Sequence, residues 1–121
     1  MIRLAELDLG EPGEVRVAWL RGEVDLSNAT DLLDALADAA AEAELGIVIE
    51  LTGVRHLDSA GLRLLFELRR RLAYRRKFVA LAVPPEARVR TVLDMAAVQD
   101  ALAVVASVEE AVAAVRAAAA A

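Results

Sequence analysis

The chain has 121 residues, no cysteine, one histidine and a formal charge of −5, from 14 Lys and Arg against 19 Asp and Glu. That length suits one domain with its own hydrophobic core and leaves little room for a second. The missing thiols exclude disulfides, thiolate catalysis and zinc–thiolate sites, a single imidazole excludes most histidine metal sites, and the acidic balance argues against direct nucleic acid binding.

The first ten residues, MIRLAELDLG, carry acids and no apolar stretch of signal-peptide length. No uncharged run in the chain approaches the roughly 20 residues needed to cross a bilayer. A cytoplasmic soluble domain without membrane insertion is therefore expected. Residues 2–9 suit a strand, and GEPG at 10–13 is a turn leading to a second strand around Val15, Val17 and Trp19. Strands joined so closely should be antiparallel neighbours. RGEVDLS then leads to a helix over residues 28–41, where Leu32, Leu33, Leu36, Ala37 and Ala40 recur at intervals of three and four. Ser27 and Asn28 mark its start, and Asp31 and Asp34 suit the positive end of its dipole.

GIVIEL at 46–51 is short and apolar enough for a strand buried on both faces. After TGVRHL a second helix spans 59–74, closing in the basic series Arg69, Arg70, Arg71, Arg75, Arg76 and Lys77, which complements a helix C-terminus. FVALAV at 78–83 is the next buried strand; Pro84-Pro85 stops it, and Pro85 opens a short helix carrying Val89, Val92 and Leu93. Residues 102–105 suit a short edge strand. Ser107 and Glu110 form a capping box for a last helix faced by Val108, Ala111, Val112 and Val115, and residues 116–121 are expected to be a fraying end. Five strands alternating with four helices predict a single α/β domain over 1–121, with a mixed, mostly parallel sheet of four to five strands. The two Phe, one Tyr and one Trp require an aliphatic core and leave no aromatic platform for stacked bases.

RGEVDLS and RHLDSAG both stand where a strand hands over to a helix. In parallel α/β sheets, sites gather in the loops beyond the carboxyl ends of the strands, so the two loops are expected at one end of the sheet, with Asp25 near Ser59. In the plainest reading Asp58 or Ser59 is a helix N-cap and Gly61 lets the chain pack closely. A nucleophilic serine would need a base and an oxyanion site; His56, expected as a partly buried loop residue, makes no triad, and no G-x-S-x-G elbow exists. The third use is phosphorylation of Ser59. A phosphate there is expected to meet unpaired backbone N–H groups and the positive end of the helix dipole. The local fold would then survive, and the effect would be felt at a partner's surface, where new charge beside Asp25 and Asp58 is repelled or left desolvated.

GEVDLSNATDLLDAL at 22–36 and VIELTGVRHLDSAGLRLLFEL at 48–68 resemble the two signature stretches of STAS domains, specifically bacterial anti-sigma factor antagonists. PPEARVRTVLDM and SVEEAVAAV extend the resemblance over nearly the whole chain. It implies a domain that binds an anti-sigma factor with serine kinase activity and so frees a sigma factor. Phosphorylation of the serine matching Ser59 would switch it off, and a PP2C-type phosphatase would reset it. The implied partner surface is Asp25, Asp58, Ser59, Ala60 and Gly61, with Asp58 capping or orienting and Gly61 allowing close approach. The domain is then a substrate rather than an enzyme and has no cofactor of its own; ATP and metal belong to the kinase and the phosphatase.

The chain departs from the family pattern at four places. Ala60 stands where a second hydroxyl is frequent, and His56 where a larger apolar residue is common. No glycine stands near Ala96 or Ala97, so the third helix is expected to run on, and the polyalanine end is atypical. Two other classes of function stay open. One is a STAS subunit that works without phosphorylation, in a stress-signalling assembly or on a transporter ATPase. The other is a small-anion or nucleotide site, disfavoured by the lack of a glycine-rich phosphate loop and of a lysine near these turns.

Overall fold

The computed structural model, which describes residues 4–121, begins with a hairpin in which β1 (Ala5–Leu9) pairs antiparallel with β2 (Val15–Val24). The expected strand over 2–9 is thus found from Ala5; Ile2 and Arg3 lie outside the described residues. β2 is long enough to take two parallel neighbours in succession. Val15 to Trp19 pair with β3 (Gly46–Glu50), and Gly22 to Val24 pair with β4 (Val54–Leu57). Between these halves the register shifts at Gly22 and Glu23. Gly22 has φ +98, and a Cβ there would lie 2.2 Å from the Leu4 carbonyl oxygen, so only glycine lets the strand continue.

β3 pairs parallel with β5 (Phe78–Ala82), and β5 with β6 (Ala103–Val105). The sheet has six strands in the order β1-β2-β3-β5-β6, with β4 attached to β2. The predicted α/β class and mostly parallel sheet are found; the expected four to five strands become six. The additional strand is β4, within the TGVRHL stretch that is expected from sequence only to lead into the second helix. Its four residues are too few to show a period, and Arg55 and His56 are exposed, so its apolar content is only the buried Val54 and Leu57.

Helices α1 (Ala29–Ala41) and α2 (Ser59–Tyr74) cover one face of the sheet. Leu32, Leu33 and Leu36 of α1 and Leu64, Leu65, Leu68 and Leu72 of α2 interlock over Ala18, Leu20, Ile47, Ile49 and Leu81. Residues of the opposite strand parity, Val48, Ala80 and Ala82, face α4 (Val108–Ala120) through Ala111 and Val115. This two-sided burial is why β3 reads as a continuous apolar run rather than an alternation. α3 (Arg88–Met95) packs beside β4 through the buried Val89 and Leu93.

Three ends differ from expectation. α3 stops at Met95 although no glycine marks the stop; Ala97 itself takes the left-handed conformation (φ 54) and leads into a 3-10 turn at Val98–Asp100. α4 stays helical through Ala120, over the residues expected to fray. Its cap is Ser107, whose Oγ accepts the Glu110 N–H at 3.1 Å, while Glu110 reaches one residue further back than a capping box requires, to the Ala106 N–H.

Candidate functional site

Because β2 and β4 are parallel and Val24 pairs with Leu57, the residues that leave the two strands emerge side by side. The Asp58 N–H donates to the Val24 carbonyl at 3.3 Å, so Asp25 and Asp58 start from backbones about 5 Å apart. The two loops expected at one end of the sheet therefore meet there. Asp25, Asp58 and Ala60 are half-buried, Ser59 is exposed and Gly61 is buried.

Asp58 is the N-cap of α2. Its Oδ1 accepts the N–H groups of Ala60 at 2.9 Å and Gly61 at 3.1 Å, while its carbonyl accepts the Leu62 N–H. The expectation that a phosphate on Ser59 would meet unpaired amides is narrowed here, because two of the amides at this helix start, those of Ala60 and Gly61, already serve a carboxylate. Ser59 is the first helical residue, held by this cap, and it is exposed to solvent. Gly61 is fixed by packing: a Cβ would fall 2.4 Å from Leu57 Cδ1 and 3.1 Å from Val24 Cγ1. This close approach is between α2 and the strands beneath it.

The loop from β2 to α1 is a network of local hydrogen bonds. Asp25 Oδ1 accepts the Ser27 amide at 2.9 Å and the Ser27 hydroxyl at 2.5 Å. These bonds, with the charge of nearby His56 adding to them, hold the Asp25 carboxyl below its usual range. Asn28 stands at the N-cap position expected of it, but its side chain makes no cap bond to α1. It is 1% exposed and turns back into the loop: its Oδ1 accepts the Asp25 N–H at 3.0 Å and its Nδ2 donates to the Glu23 carbonyl at 2.8 Å. This role went unseen in the sequence, where an asparagine before a helix reads first as a cap. The signal available was the spacing of Asp25, Ser27 and Asn28, all residues that bond their own backbone in turns. His56 is corrected as well. It is exposed, lies within β4, and pairs in register with Glu23.

The assembled surface brings the exposed Ser59, directly after the Asp58 cap, to the same end of the sheet as the Asp25 loop, which also carries the very exposed Leu26. The one imidazole among the described residues, His56, lies within β4 in register with Glu23 and makes no hydrogen bond to Ser59 that would complete a triad. Among the described residues no group of three or more His, Asp and Glu side chains is placed to hold a metal ion. No helix among them is long and apolar enough to cross a membrane.

The STAS domain model matches residues 6–111. Solved structures share the fold. An anti-sigma factor antagonist from Mycobacterium paratuberculosis superposes with a TM-score of 0.76 at 24% identity, over 93% of this chain and 94% of that one. The Bacillus cell fate determinant SpoIIAA in its phosphorylated form gives 0.63 at 21% identity, over 92% and 98%. A putative antagonist from Thermotoga maritima gives 0.70 at 20% identity, over 94% and 96%. No curated protein matches the sequence.

Proposed function

The chain belongs to the STAS domain family, and from that premise we propose that it is an anti-sigma factor antagonist whose docking surface is switched by phosphorylation of Ser59. In this reading the unmodified protein binds an anti-sigma factor with serine kinase activity, and that binding releases a sigma factor. The kinase then transfers phosphate from its own ATP to the Ser59 hydroxyl, and a metal-dependent PP2C-type phosphatase removes it. The protein is a cytoplasmic substrate and binding module, not an enzyme, and ATP and metal belong to its partners.

The observation that carries this reading is the exposed Ser59 at the first position of α2, beside Asp58 and the neighbouring Asp25 loop. Phosphorylation would add a charge of about −1.5 to −2. Since the Asp58 carboxylate already holds the amides of Ala60 and Gly61, the new charge joins two carboxylates instead of replacing a vacancy. The dianion stays in water while the protein is free. In a complex it is desolvated or placed against the partner, and losing affinity is the consequence. Asp25 contributes negative charge to the docking surface, Asp58 fixes the helix start that aims Ser59, Ala60 forms the adjoining surface, and Gly61 seats α2 on the strands.

The test is a comparison of wild type, Ser59→Ala and Ser59→Asp for binding to the cognate kinase. Ser59→Ala should bind and accept no phosphate, and Ser59→Asp should bind at least tenfold more weakly. Equal affinity of all three, together with equal affinity of the enzymatically phosphorylated protein, refutes the switch.

A further inference from the structure

The last strand, β6, is shorter than the strand it pairs with. It meets β5 only from Ala80 to Ala82, so Phe78 and Val79 have no strand on that side. Successive residues of β5 turn their backbone groups to opposite neighbours: the Phe78 N–H donates to the Leu45 carbonyl beside β3, and the Val83 N–H to the Val105 carbonyl of β6. By the same alternation the Val79 N–H points past the start of β6, where among the described residues no carbonyl accepts it. Val79 is 8% exposed, and a buried backbone N–H is seldom left without a partner. A cavity of about 260 Å³ opens at this point, between the C-terminal halves of α2 and α4.

The walls are apolar, with Phe78 and Leu102 at the sheet edge and Ala114, Val115 and Ala118 on α4, and no carboxylate lines them. Two cations do. Lys77 Nζ donates to the Ala40 and Ala41 carbonyls at 3.2 and 3.1 Å, so its charge serves the end of α1. The Arg69 guanidinium has no ion pair or hydrogen bond among the described residues, whereas Arg70 and Arg71 are paired with Glu67. The helix dipole does not account for Arg69 either, since only Arg71 stands in the last turn of α2, where that effect acts. We propose that the cavity binds a linear aliphatic monocarboxylate, one oxygen accepting the Val79 N–H, the other facing Arg69, and the chain lying against the α4 alanines. At roughly 30 Å³ for each water-sized group, the space takes about eight or nine non-hydrogen atoms, which a chain of about six carbons supplies with its two oxygens. One guanidinium and one amide match a single carboxylate. A nucleotide brings more negative charge than one cation balances, and polar groups for which these walls have no partner. The site lies at the end of the sheet opposite Ser59 and is independent of the switch proposed there.

The test is an amide NMR titration of the full chain with sodium hexanoate, with acetate, hexanol and inorganic phosphate as the other arms. The Val79 amide resonance should shift saturably with hexanoate, at least tenfold more tightly than with any of the other three. Arg69→Gln, at an exposed position, should weaken hexanoate at least tenfold, whereas Arg75→Gln, exposed and outside the cavity, should bind as wild type does. Ala118→Leu fills the cavity from α4 and should abolish the shift; if it does not fold, Arg69→Gln decides alone. No saturable shift at Val79, or acetate, hexanol or phosphate binding as tightly as hexanoate, leaves the amide to water and overturns the proposal. Full hexanoate affinity in a folded Arg69→Gln or Ala118→Leu overturns it as well.

Discussion

Replacing Asn28 by alanine separates a capping asparagine from one that holds the site loop together. If Asn28 merely preceded α1, the substitution would leave the loop intact, since its side chain makes no bond to the amides of α1. In the structure its amide instead satisfies the Asp25 N–H at 3.0 Å and the Glu23 carbonyl at 2.8 Å, from a side chain that is 1% exposed. Each backbone group left unpaired away from water costs about 1–3 kcal/mol, and partial access of solvent to the loop sets the expectation at about 2–4 kcal/mol in total. For a domain of this size that lowers the melting temperature by about 8–16 °C, at roughly 4 °C per kcal/mol. Thermal unfolding followed by circular dichroism measures it, with Ser27→Ala as the companion because its hydroxyl bond is exposed. Asn28→Ala melting within 2 °C (roughly half a kcal/mol) of wild type would refute the assigned role. Partner affinity should fall as well in Asn28→Ala, because Asp25 and Leu26 lose the frame that aims them.

Other consequences follow from backbone geometry and charge. Gly61→Ala should destabilise by about 1–3 kcal/mol despite alanine's better helix propensity, because the new Cβ meets Leu57 and Val24; an unchanged denaturant midpoint would refute the packing argument. Ala97→Gly should stabilise by about 1 kcal/mol, since the left-handed φ of 54 strains alanine and suits glycine; a lower midpoint would contradict it. The Asp25 carboxyl titrates below its unfolded value because of its Ser27 bonds. Its stabilisation is therefore present above the unfolded pKa of about 3.9 and is lost as pH falls through the lower folded value. Comparing wild type with Asp25→Asn should show that most of their stability difference, the part due to the Ser27 bonds, persists at pH 8 and is lost only below roughly pH 4; a difference that vanishes nearer neutrality would contradict the bonding.

The parts of the fold that follow from local pattern were legible in the sequence. α2 lies at residues 59–74 as predicted, because its leucines keep helical spacing and Asp58 supplies an N-cap immediately before them. β3 and β5 follow from short apolar runs that only burial on both faces explains. β4 was not legible: two of its four residues face solvent, and its existence depends on pairing with the far half of β2, thirty-odd residues earlier. The continuation of β2 through Gly22 and Glu23 was obscured in the same way, since Gly22 is there for the close approach of Leu4 rather than for a turn. Of the candidate site, the convergence of the Asp25 and Ser59 loops followed from topology alone. The inward bonds of Asn28 and the occupation of two α2 amides by Asp58 did not, because each depends on which of several local hydrogen bonds a short polar side chain selects. The end of α3 was misjudged for a related reason: the left-handed turn expected of a glycine is adopted by Ala97.

The most direct measurement is mass-spectrometric mapping of the protein after reaction with ATP and the serine-kinase anti-sigma factor that the proposed switch requires. A single phosphate on Ser59, with Ser27, Thr30 and Ser107 unmodified, is the predicted result. Phosphate on any of those other hydroxyls with Ser59 untouched, or no phosphate in a kinase complex that forms normally, would contradict the account.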